Sequence, residues 1–290
     1  MVMNRKVIFR RSFLAFFALI AVYFALRVTS FDRFRIPTHS MEPTLIPGDN
    51  ILVCKWLMGA RIYTDFNFSP EGAELKSRRM KGTRSIRRND IVVFNRANRH
   101  GGISFVINDV YCKRCVALPG DTISIVNGYY KNNHYKGQLG SYVEQKTLSE
   151  TPDSMLRQNH TLRAMPKERH FNWTIRHFGP MYVPRKGDVV RMSPETATLY
   201  KMIIEWETGA NLSVDWDQGK VFSNGKTMET HEFAHNYYFM AGDCVSNSDD
   251  SRYKGLVPEE YVVGIVTHIL YSRHPESGKI RWDRIWRKVR

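Results

Sequence analysis

The sequence predicts a mostly β protein: an antiparallel β body with an inserted subdomain, attached to one N-terminal transmembrane helix. Three observations carry that prediction. Residues 13–26, FLAFFALIAVYFAL, contain no charged or strongly polar side chain. Beyond Phe31 the chain breaks into short runs of β-branched and aromatic residues separated by turn residues. Between these runs lies one polar, weakly periodic stretch, residues 132–176. With 290 residues, 42% of them hydrophobic and 12% aromatic, the chain has material for one large domain or two modest ones.

The apolar run falls short of the ~20 residues of an ordinary membrane span. Val7–Phe9 before it and Val28 after it lengthen the span once Arg10, Arg11 and Arg27 reach to the interfaces. A cleavable secretory signal has an apolar region of similar length. No small-x-small site follows directly, because Arg27 interrupts, so an uncleaved signal anchor over residues 12–30 is expected. Arg5, Lys6, Arg10 and Arg11 make residues 1–11 a basic cytoplasmic N-terminus and leave everything after Arg27 outside.

The expected strands are Asn50–Val53, Asp90–Phe94, Val116–Leu118, Thr122–Val126, Asp188–Met192, Tyr237–Met240 and Tyr261–Ile269. Gly48-Asp49, Asn89-Asp90, Gly120-Asp121, Gly187-Asp188 and Gly242-Asp243 punctuate them as turns. Thr196–Glu207 reads as a short helix. The body is therefore divided into residues 31–131, a variable insert 132–176, and a second part 177–278. A basic tail, 279–290, follows. On a helix that tail would set Trp282, Ile285, Trp286 and Val289 on one face, flanked by Arg281, Arg284, Arg287, Lys288 and Arg290. Such a helix suits an anionic lipid surface; the alternative is that Trp282 and Trp286 pack onto the β body.

A net charge of +15 asks for nucleic acid or anionic lipid as a partner. No zinc-finger spacing and no RNP-like aromatic motif is present, so anionic membrane lipids are expected and nucleic acid is not. Four cysteines, at 54, 112, 115 and 244, are too few for a disulfide-built scaffold. Cys112 and Cys115 form a CxxC, but no second pair completes a zinc set, and on a strand residues three apart face opposite ways.

Three separated segments carry chemistry: Ile36-Pro-Thr-His-Ser-Met-Glu-Pro-Thr-Leu45, Tyr111-Cys-Lys-Arg-Cys-Val-Ala-Leu-Pro-Gly-Asp121 and Gly242-Asp-Cys-Val-Ser-Asn-Ser-Asp-Asp-Ser-Arg252. A serine hydroxyl is a weak nucleophile until a neighbour takes its proton. Lysine can do so only when neutral, which its ordinary pKa near 10.4 forbids unless burial lowers it. Val110, Tyr111, Val116, Ala117 and Leu118 give Lys113 apolar company of that kind. His39, beside Ser40, is the rival base, but adjacent side chains of an extended chain diverge.

Together and in this order, the three segments resemble the active-site boxes of bacterial type I signal peptidases (leader peptidases), the serine–lysine dyad family. The resemblance implies Ser40 as nucleophile and Lys113 as general base. It implies that the Thr38 hydroxyl helps the Ser40 amide form the oxyanion hole, and that Ser248 orients the lysine. Arg114, Asp243, Asp250 and Arg252 match the supporting charged shell, with Asp243 expected to neutralise Arg114. Phe34, Ile36, Met41, Leu45 and Tyr111 fall where the family lines its small-residue pockets. The implied activity is a membrane-anchored serine endopeptidase that removes signal peptides from exported preproteins. Its implied place is the bacterial inner membrane, single-pass, with the catalytic domain on the periplasmic side and no cofactor or metal. Cys244, Val245, Ser246 and His39 depart from the family's usual residues. Those departures keep open an impaired relative that binds signal peptides without cutting them, and the CxxC keeps open a redox or metal protein.

Overall fold

The computed structural model describes residues 5–64, 77–99, 102–106 and 109–289. Residues 1–4 of the expected cytoplasmic segment and Arg290 of the tail lie outside these. Helix α1, Arg5–Thr29, contains the apolar run, and its Phe9–Thr29 portion, 21 residues, is long and apolar enough to cross a membrane. None of that stretch is buried against the rest of the protein. A fully apolar surface left uncovered by protein is what a lipid-facing helix presents.

The body is built on an eight-stranded antiparallel sheet. Its strands are β1 (Phe31–Arg35), β2 (Asp49–Cys54), β3 (Ile91–Asn95), β4 (Val110–Ala117), β5 (Tyr237–Ala241), β6 (Val257–Pro258), β7 (Val262–Ser272) and β8 (Arg287–Lys288). The order across the sheet is β1-β2-β7-β3-β4-β5-β6, with β8 added to β7. Alternation sorts the side chains into two cores. Val92, Phe94, Cys115, Met240 and Ile265 pack on one face. Val93, Ile51, Val53, Val266 and Ile269 pack on the other, together with Ile36, Met41 and Leu45 from the segment after β1.

A third core lies under a smaller sheet, Tyr129–Asn132, Thr122–Val126 and His177–Tyr182. The 132–176 segment supplies two short helices, Tyr142–Glu150 and Asp153–Gln158, whose Leu148 and Leu156 are buried there beside Ile123, Phe178 and Phe239. Because Phe239 belongs to β5, the insert shares a core with the main sheet. The expected helix is present as Pro194–Thr208: Ser193 caps it by accepting from Thr196 N, Pro194 opens it, and Gly209 at φ 64° closes it.

The tail departs from the expected amphipathic helix. Only Trp282–Arg284 forms a turn of 3₁₀-helix, Trp286 sits at φ 51°, and Arg287–Lys288 joins the sheet as β8. The cause is ionic. The Arg284 guanidinium reaches inward to Asp49, with Nε donating to Oδ1 at 2.9 Å and Nη2 to Oδ2 at 2.5 Å. Nη2 also donates to the Thr44 carbonyl, and Arg281 donates to the Pro47 carbonyl and Ser272 Oγ. Backbone bonds from Trp286 N to Leu270 O and from Val289 N to Thr267 O then fix the chain as a strand. Trp282 is left 76% exposed and Trp286 62%, the latter with its ring stacked on His268. Neither tryptophan enters a core.

Candidate active site

Strand β1 delivers the chain to a tight turn in which Glu42 N donates to His39 O and Leu45 N to Met41 O. Ser40 is held at the head of this turn. Strand β4 presents Lys113 opposite Val92 of β3, and Lys113 Nζ donates to Ser40 Oγ at 2.5 Å. The lysine is only 5% exposed, with the Tyr111 ring 5.5 Å from its Nζ. Burial holds its pKa below the ordinary lysine value; Asp250, Cys112 and Asp249 oppose that shift in part. Thr38 Oγ1 lies 3.4 Å from Ser40 Oγ.

The third segment closes over this pair. Cys244 N donates to the Ser40 carbonyl, and a side chain at Gly242 would run into that carbonyl and into Ser248 Oγ. Only glycine permits the approach. Asp243 takes two bonds from Arg114, Nε to Oδ1 and Nη2 to Oδ2, both at 2.6 Å, which is the neutralisation expected for Arg114. Asp250 and Arg252, both buried, form a second forked pair at 2.9 and 2.7 Å. Gly242 N also donates to the Asp250 carboxylate. Burial alone would raise the Asp250 carboxyl; the Arg252 guanidinium outweighs it and holds the group below the ordinary range.

Leu45 and Ser248 stand apart from the contacts expected of them. Leu45 does not line the cleft that Met41 and Ile36 share; the Met41–Leu45 turn carries it into the core beside Val53 and Val266. Ser248 makes no hydrogen bond to Lys113. Its hydroxyl is buried over Gly242 and beside the Asp250 carboxylate, which it helps to hold in the charged form. Lys113 spends its contact on Ser40. His39 turns outward to Glu42, with Nδ1 2.9 Å from Oε1, and its side chain is 64% exposed. That position takes it out of the role of base.

Phe34, Ile36, Met41 and Tyr111 line a cleft of about 490 Å³ that ends on Thr38, Ser40 and Lys113. Among the walls that sequence reasoning missed are Ile51, Val93, Val110, Cys112, Asn247 and Asp249. Period-two alternation puts Val110 and Cys112 on the face of β4 opposite Tyr111 and Lys113, so it gives no reason to bring them to the cleft. Thr44 was also missed; its hydroxyl donates to Asp243 Oδ2 at 2.5 Å and so ties the nucleophile turn to the Arg114–Asp243 pair. Cys112 and Cys115 face the two different cores, as expected of a strand. Burial pushes the Cys112 thiol up to about 12 and Cys115 well above its usual value. Side chains on opposite faces of one strand do not converge on each other or on a common ion.

A serine and a buried lysine in contact at the end of an apolar groove have the geometry a nucleophile and its base need. The family model described as "Signal peptidase, peptidase S26" matches residues 9–271, nearly the whole chain and all three segments. The chain belongs to this family. Signal peptidase I of Buchnera aphidicola subsp. Baizongia pistaciae is 27% identical over 95% of this chain and 82% of its own length. That of Haemophilus influenzae is 27% identical over 94% of this chain and 74% of its own. A solved signal peptidase I from Enterococcus faecalis V583 aligns with 63% of this chain and 98% of its own, at 17% identity and a TM-score of 0.30, a likeness too low to carry weight.

Proposed function

We infer that Ser40 is the nucleophile and Lys113 the general base with which this serine endopeptidase removes N-terminal signal peptides from exported preproteins. The observation that carries the reading is the 2.5 Å contact between Ser40 Oγ and a lysine that is 5% exposed. Neutral Lys113 takes the hydroxyl proton as Ser40 Oγ bonds to the scissile carbonyl carbon. The Ser40 amide and the Thr38 hydroxyl receive the developing oxyanion. Collapse breaks the peptide bond, Lys113 returns its proton to the departing amine of the mature protein, and the signal peptide remains as an ester on Ser40. Lys113 then deprotonates a water that hydrolyses the ester, restoring the serine.

The substrate side follows from the groove. An extended segment beside edge strand β1 would place alternate side chains into the walls formed by Phe34, Ile36, Met41 and Tyr111. Arg5, Lys6, Arg10 and Arg11 at the start of α1 favour a cytoplasmic N-terminus, so we place the catalytic body on the outer, periplasmic side of a bacterial cytoplasmic membrane. Exposed Trp282 and Trp286 with Arg281, Arg287 and Lys288 support anionic lipid as the surface it meets.

The test uses the full chain in lipid vesicles with a purified preprotein, reading the new N-terminus by mass spectrometry. Wild type is expected to give one cut after a small side chain and Ser40→Ala none. Cleavage by Ser40→Ala at the same bond would remove Ser40 from the role.

A further inference from the structure

The joint between the anchor and the catalytic body contains almost no slack. Helix α1 ends at Thr29 and strand β1 begins at Phe31, so Ser30 alone separates them. Ser30 belongs to both elements: its N–H donates to Leu26 O of the helix, and its carbonyl accepts from Lys55 N, next to the end of β2. Three charged side chains close over this point. The Arg27 guanidinium meets Asp32 Oδ1 at 2.6 Å, and the Lys55 ammonium meets Asp32 Oδ2 at 3.0 Å. Lys55 Nζ also donates to the Arg27 carbonyl at 2.7 Å, satisfying an otherwise unpaired acceptor at the negative end of the helix.

Asp32 is thus shared between one residue of the helix and one just past the end of β2. Its side chain and that of Lys55 are each only 14% exposed, which lifts the pair out of the class of screened surface contacts. Strand β1 runs from Asp32 to Arg35, and only residues 36–39, tied to the start of β2 by Ile36 N to Asp49 O, separate it from Ser40, so the angle at Ser30 sets where Ser40 stands relative to the helix. An anchored enzyme acting on an anchored substrate depends on that height and tilt, because both partners are confined to one surface.

We propose that Arg27, Asp32 and Lys55 form a rigid clasp that positions the catalytic body over the membrane, so that Ser40 meets the scissile bond of a membrane-held preprotein. Asp32 is a positioning residue: it touches neither the dyad nor the cleft. The proposal rests on the reading of Ser40 and Lys113 given above. It differs from a purely structural role in one respect: the clasp is irrelevant to a substrate that diffuses freely in water.

The experiment compares two substrates on the full-length chain in phosphatidylglycerol-containing vesicles: a membrane-inserted preprotein and a short soluble peptide with the same cleavage sequence. The variants are Asp32→Asn, Asp32→Glu and a Gly-Gly insertion between Ser30 and Phe31, each with its melting temperature measured. For Asp32→Asn and the insertion, preprotein processing is expected to fall about tenfold, with peptide kcat/KM held within about twofold. Asp32→Glu should recover part of the loss. Equal loss on both substrates would make the clasp structural only, and unchanged processing of the preprotein would show that it positions nothing. Should wild type cut neither substrate, the proposed function falls and the clasp's role with it. Once wild type cuts both, the ratio of the two rates in the variants tests the clasp alone.

Discussion

Thr38 and Ser40 illustrate how few atoms the chemistry needs. The Thr38 hydroxyl lies 3.4 Å from Ser40 Oγ, where it can turn toward an oxyanion built on the adjacent carbon. Thr38→Val keeps the shape and removes the donor, so kcat should fall by roughly one to three powers of ten, while Thr38→Ser stays close to wild type. Steady-state kinetics on a peptide substrate checks this, and an unchanged kcat in Thr38→Val would place the oxyanion hole elsewhere. Asp250 acts at the same scale through stability. Its carboxyl is held below the ordinary range, so the stability it contributes is fully present above the unfolded carboxylate pKa of about 3.9 and is lost as pH falls through the folded value. Asp250→Asn strands the buried Arg252 charge at every pH. It should cost on the order of 3–5 kcal/mol near neutrality and leave a shallower acid slope, measured by denaturant unfolding from pH 3 to 7.

At the scale of elements, the tail is held by one buried arginine and not by its tryptophans. Arg284→Ala leaves Asp49 buried without its partner and should lower stability by about 3–5 kcal/mol, or roughly 10 °C in melting temperature. Trp282→Ala, at 76% exposure, should change it by less than about 0.5 kcal/mol. A melting series on the two variants reads both, and a reversed order would mean that the tail packs through its rings. This segment marks where sequence reasoning stops. Trp282, Ile285, Trp286 and Val289 have helical spacing, but the partner that overrules it, Asp49, lies far away in sequence and reads locally as a turn residue. Elements with local causes were legible. Thr122–Val126 is alternating and bounded by turns, and Pro194–Thr208 carries its own cap and stop. In the site, Ser40, Lys113 and the Arg114–Asp243 pair were legible because each sits in a dense motif. Thr44 and the far walls of the cleft were not, since only the sheet order brings Val93 beside Cys112.

Across the whole molecule, the sheet does one thing that no single element could. It sets a strand leaving the anchor, β1, and a strand carrying a buried lysine, β4, so that residues 73 positions apart touch. The cleft on that face is also part of the burial that lowers the Lys113 pKa, so in the proposed mechanism substrate binding and base activation share one cause. A net charge of +10 beyond Thr29 and exposed Trp282 and Trp286 should draw the body to anionic lipid. Binding of the full chain without α1 to phosphatidylglycerol vesicles should weaken steeply with salt, whereas salt-independent binding would leave the charge without a role. The dyad itself is tested most directly by the pH dependence of kcat/KM on a preprotein, with chemistry rate-limiting, for wild type and Lys113→Arg. Wild type should gain activity as pH rises, with an apparent pKa well below the ~10.4 of free lysine, and Lys113→Arg should be inactive throughout because a guanidinium keeps its proton. A flat wild-type profile from pH 6 to 10, or substantial turnover by Lys113→Arg, would contradict the account.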